Sequence, residues 1–218
     1  MPIAAVLAGV SGAILGFLAD RLAARWPEHE AHEGHQVVAS RRLDWRTALV
    51  VVAGVLSLAA LLGRWSDPRD LLVLGIYFAA LIVLLATDLD QKLLPDLITF
   101  PLMAYALAIL LLGWNPLLED KSLGLMSGIA AGVGAPLLLA LSDRLLGGAL
   151  GMGDLKLAVS LGLMSGVSAL FAGFVIASAL SSIVLLALIA LRRIGLRSAI
   201  PFGPILIAAG IIAALLPG

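Results

Sequence analysis

The run "LLVLGIYFAALIVLLAT", from Leu71 to Thr87, contains no charged residue and is flanked by Asp70 and Asp88. It is one of eight apolar stretches: 3–23, 46–63, 70–89, 97–114, 123–146, 155–165, 167–191 and 200–217. A helix that crosses a bilayer needs about 20 mostly apolar residues. Within hydrocarbon only helices and closed barrels satisfy every backbone polar group. The spacing therefore predicts an all-α, polytopic membrane helix bundle. Composition agrees, at 61% hydrophobic and 13% charged, against about half and a quarter in soluble domains. The stretch 155–191 is too long for one span and tight for two, and "GLMSGVS" (162–168) is the predicted turn. About eight transmembrane segments result, one of them short; seven is the alternative.

Charge orients the segments. The loops and helix ends after segments 1, 3, 5 and 7 hold Arg21, Arg25, Arg41, Arg42, Arg46, Lys92, Arg144, Lys156, Arg192, Arg193 and Arg197. The opposite side holds Arg64, Arg69 and Lys121. Basic residues favour the cytoplasmic side, so the first set is expected there and both termini outside. The chain reads as one membrane domain over 1–218, with a first helix and short polar cytoplasmic loop in 1–45 and the core in 46–218. Nothing basic precedes the first apolar run, which argues for a retained helix and not a cleaved leader. The 14 basic and 14 acidic residues balance, so nucleic acid is not an expected partner. There are no cysteines, which excludes disulfides, thiolate zinc ligands and thiol nucleophiles. Glycines 124, 128, 132 and 134 are expected to let helices approach closely.

An acid in a membrane span costs about 2.5–3.5 kcal/mol at the centre, so acids at helix ends need a reason. Asp20 and Asp143 each precede an arginine and read as interfacial pairs. Asp88 directly follows its uncharged run, and Asp154 lies in "GALGMGDLKL" (148–157) at the start of segment 6. Charge counting puts both at the cytoplasmic side. Two carboxylates at close range share a proton and their pKa values split, the arrangement with which aspartic proteases activate water. Gly151 and Gly153 would supply backbone freedom beside Asp154. The same acids would also serve a proton or ion path, and an aspartate at a helix start is also a common N-cap. Residue patterns alone leave these three readings open.

Three stretches resemble the type IV prepilin peptidases, a family of GxGD membrane aspartyl proteases: "TDLDQKLLPDLITFPLM" (87–103), "GMGDLKLAVSLGLMSG" (151–166) and "IPFGPILIAAG" (200–210). The resemblance implies that Asp88 and Asp154 are catalytic. It implies that Gly151, Gly153 and Lys156 shape the site, and that Asp90 and Asp96 lie near its mouth, where they would attract a basic leader. The segment from Pro201 to Pro204 would shape a helix start. The implied substrate is a prepilin or pseudopilin precursor, cut at the cytoplasmic face of a prokaryotic inner membrane without any cofactor. A presenilin-like protease shares the GxGD string, but Thr87, not Tyr, precedes Asp88.

The chain departs from the fuller members in one region. Those carry a Cys-rich, zinc-binding cytoplasmic insert associated with N-methylation. Here "ARWPEHEAHEGHQVVASRRLDW" stands in that place, without cysteine, so peptidase activity without methylation is expected. His29, His32 and His35 in this loop are weak candidate metal ligands, since imidazole binds zinc.

Overall fold

The computed structural model describes residues 2–25, 43–118, 121–146, 150–191 and 202–216. Among them are seven helices: α1 (Pro2–Ala23), α2 (Trp45–Arg64), α3 (Pro68–Gln91), α4 (Asp96–Leu111), α5 (Lys121–Leu146), α6 (Met152–Ala190) and α7 (Gly203–Leu215). No strand occurs among the described residues. Five of these helices are long and apolar enough to cross a membrane, and α4 and α7 are shorter apolar helices. The chain is a multi-pass helical membrane protein.

Exposure supports this. Leu7, Leu56, Leu138 and Phe171 are each more than 60% exposed. A soluble protein rarely tolerates broad apolar patches, whereas lipid is their natural solvent.

Contacts divide the chain into a first unit, Met1–Leu94, and a second, Pro95–Gly218. In the first, α1, α2 and α3 pack against one another. Gly12 and Gly16 of α1 lie against the backbone of α2 at Gly54 and Val50. Glycine removes the side chain that would hold two membrane helices apart. Asp44 caps α2, its carboxylate accepting from the amides of Arg46 (3.0 Å) and Thr47 (3.1 Å). Asp67 caps α3 by accepting from the amide of Arg69 at 2.8 Å. Each occupies the helix-start position that acids favour. Tyr77, Phe78, Leu81 and Ile82 of α3 are fully buried.

In the second unit α6 packs against α4, α5 and α7. Unbroken, its 39 residues would measure about 58 Å at 1.5 Å per residue, nearly twice a hydrocarbon core. It breaks at Gly166, where φ is 67° and ψ is −176°, inside the predicted turn. That region of backbone space is essentially restricted to glycine. The break frees backbone groups on both sides. Asn115 Nδ2 donates to the carbonyls of Leu163 (3.3 Å) and Met164 (2.9 Å). Ser127 Oγ accepts from the amide of Val167 at 2.9 Å. Two helical segments thus arise from one element, in keeping with about eight segments in all.

Gly162 lies against the α5 backbone at Ala131, and Gly128 and Gly132 lie against Leu163. Gly124 meets Leu118, and only Gly134 of the predicted packing set faces open space.

Candidate active site

Asp88 lies in the last turn of α3 and is 6% exposed. Thr87, beside it, returns its hydroxyl to the carbonyl of Leu84 at 3.0 Å. The helix ends at Lys92, which adopts a left-handed conformation (φ 55°) and donates its amide to the Asp88 carbonyl at 2.9 Å. This is a common helix-ending device, usually built on glycine.

Two side chains fasten the same turn within the first unit. Asp90 lies in helix α3 and accepts from Arg46 Nη1 of α2 at 3.1 Å. Gln91 Nε2 donates to the Ala23 carbonyl at the end of α1 at 2.9 Å. Below them, Asp20 is 2% exposed, accepts from Thr47 Oγ1 at 3.0 Å and lies 3.4 Å from the Arg21 guanidinium. The expected Asp20–Arg21 pair therefore exists, but Asp20 is buried in the bundle and not at its surface.

In the second unit Gly151 is the N-cap of α6, and Asp154 is the third helical residue. Asp154 donates its amide to the Gly151 carbonyl at 3.1 Å. The carboxylate is therefore not at the N-cap position. It lies inside the first turn, where the helix dipole favours negative charge.

Gly151 has φ −72° and ψ 145°, a conformation open to any residue. A β-carbon there would lie 3.4 Å from Asp154 Oδ2, an ordinary contact. Gly153 is helical. Backbone freedom is thus used at Gly166 and not at these two glycines.

Lys156 Nζ donates to Asp96 Oδ1 of α4 at 2.6 Å and sits 4.5 Å from the centre of the Phe100 ring. Pro95 is the N-cap of α4. Asp143 accepts from the Leu150 amide at 2.7 Å, which ties the end of α5 to the residue just before the Gly151 cap. Pro204 stands in the first turn of α7.

Residue patterns did not single out Gln91 or Phe100, and Arg46 was read only as an orienting charge. Their partners lie 68, 56 and 44 residues away in the chain, beyond the reach of local patterns. His29, His32, His35 and Pro201 lie outside the described residues. Among the described residues no group of three His, Cys, Asp or Glu side chains is placed to hold a metal.

Comparison with known proteins agrees with this picture. Residues 75–191, which include Asp88 and Asp154, match the type IV leader peptidase family. A prepilin leader peptidase/N-methyltransferase of Aeromonas hydrophila is 36% identical over 173 residues, covering 78% of this chain and 55% of the relative. One of the same description from Aeromonas salmonicida (strain A449) is 34% identical, covering 84% and 60%. A third, from Pseudomonas putida, is 32% identical, covering 85% and 64%. The chain thus spans somewhat over half the length of these relatives. No solved structure matches it. With two helix-terminal aspartates in the expected motifs and a family match across more than half its residues, the chain belongs to the type IV leader peptidase family.

Proposed function

We propose that the protein is a membrane aspartyl endopeptidase that removes the basic leader from prepilin-like precursors. The observation that carries this is the position of Asp88 and Asp154: each lies in a terminal turn of a membrane helix, and both fall within the family match.

The chemistry needs one carboxylate to take a proton from water and the other, protonated, to donate to the scissile carbonyl oxygen. Water attacks the carbonyl carbon, and the proton passes to the leaving amide nitrogen as the C–N bond breaks. No covalent intermediate forms and no cofactor is consumed. Both carboxylates must act on one peptide bond, so residues 1–218 serve as one functional domain.

The basic residues, 11 on one side against 3 on the other, support a cytoplasmic site and outside termini in a prokaryotic inner membrane. The precursor's leader would then remain in the cytoplasm while its apolar helix occupies the bilayer. The loop between the first two helices has no cysteine, which favours peptide hydrolysis without N-methylation.

Cleavage of a purified precursor in detergent, read by mass spectrometry of the new N-terminus, tests the whole reading. Asp88→Asn and Asp154→Asn should each lower kcat by at least about a thousandfold, the upper part of the range for losing an acid–base group. Full activity in either variant excludes the pair. Proton flux in liposomes without proteolysis would favour an ion path through the same acids.

A further inference from the structure

The second unit contains a cavity of about 580 Å³ between α5, α6 and α7, well within the size range of ligand sites. We propose that it docks the apolar stretch of the precursor immediately after the scissile bond; this rests on the peptidase reading above.

Its position relative to Asp154 is the first reason. Ala158 and Leu161 form part of the wall. They follow Asp154 by four and seven residues and share its helical face. The wall therefore begins one turn past the carboxylate.

Polarity is the second reason. Ser142 and Asp143, at the end of α5, and Leu150, just before α6, line one end. The Leu150 amide holds Asp143 there at 2.7 Å. Beyond that end the wall is apolar: Ala135 and Leu138 face it from α5, and Leu206 from α7. Phe174 and Phe202, with ring centres 6.2 Å apart, close another side. A carboxylate at the mouth followed by an apolar interior matches a chain that passes from basic leader to apolar helix. An acyl chain alone would have no use for the acid.

Access is the third reason. Leu138 and Phe171 on the rim are 66% and 69% exposed, so a segment can enter sideways from the bilayer.

Ala135→Trp would fill the cavity from a position outside the proposed catalytic groups. With full-length precursor, KM should rise about tenfold with kcat little changed, the signature of lost uniform binding. A shortened peptide that ends soon after the cut should be cleaved equally by both proteins, which also shows that the variant is folded. A photo-crosslinking amino acid in place of Leu138 should capture the precursor within its first apolar residues. Unchanged KM for the full precursor, or crosslinking to lipid only, would overturn the assignment while leaving the peptidase reading intact. Failure of the unsubstituted protein to cleave any precursor would overturn both.

Discussion

Lys156 donates a 2.6 Å hydrogen bond to Asp96, joining the start of α6 to the first turn of α4 only two residues past Asp154. Asp90 does the corresponding work for Asp88: two residues further on, it holds the last turn of α3 to Arg46 of α2. Each candidate catalytic turn is thus braced within its own unit by an ion pair two positions downstream. If Asp88 and Asp154 are the catalytic pair proposed above, Asp90, Asp96 and Lys156 would position them.

Asp96 is 56% exposed, so its pair should contribute no more than about 1 kcal/mol to stability. A loosened active turn costs more in rate than in stability, because small misplacements weaken catalysis steeply. Lys156→Met and Asp96→Asn should therefore lower kcat about tenfold with only a small change in Tm. The exchanged pair, Asp96→Lys with Lys156→Asp, should recover part of the loss. Steady-state kinetics on a single precursor would check this.

The Arg46–Asp90 pair is more sheltered, with Asp90 12% exposed. Arg46→Met should cost more stability than Lys156→Met, between the about 1 kcal/mol of exposed pairs and the about 3–5 kcal/mol of broken buried ones. A double-mutant cycle with Asp90→Asn, followed by thermal unfolding in detergent, would isolate the coupling.

Gly166→Ala places a side chain where φ is 67° and where a β-carbon would lie 2.7 Å from Ser127 Oγ. Backbone strain of this kind costs about 1–3 kcal/mol. Ser127→Ala removes the acceptor for the Val167 amide and should cost about 0.5–2 kcal/mol, as lost helix caps do. Denaturation midpoints should fall in both proteins, further in the glycine variant.

At the first helix crossing, Gly12 meets the backbone of Gly54 directly. Gly12→Leu should force α1 away from α2, with a cost of at least the about 1–3 kcal/mol typical of overpacking. A lowered Tm and faster proteolysis between the first two helices would be the readout.

A dyad that activates water by itself requires no metal. Chelator treatment should leave cleavage unchanged, and so should joint replacement of His29, His32 and His35 by alanine. Loss of activity that only zinc restores would assign those imidazoles a role.

Much of the fold was legible because a lipid environment imposes simple rules. Apolar runs located each helix among the described residues to within a few residues, and excess length placed a turn within 162–168. The means of holding that turn together was hidden. Asn115 and Ser127 reach it from 48 and 40 residues away in the chain, and neither carries a local signal. The candidate site was legible in the same uneven way. Asp88 and Asp154 stand out as acids beside apolar runs, but their braces depend on tertiary contact. The glycines near Asp154 misled in one respect: Gly151 and Gly153 have ordinary backbone conformations, and the left-handed one lies at Gly166.

The break at Gly166 also has a consequence for biosynthesis. The ribosome delivers a 39-residue apolar element, which the insertion machinery could thread in more than one register. Asn115 and Ser127, which hold the two sides of the break, are translated earlier and already belong to the nascent chain. Both partners of the break are therefore already synthesised when the sixth helix emerges. Replacing either residue would be felt first as misinserted protein, before any catalytic defect could be measured.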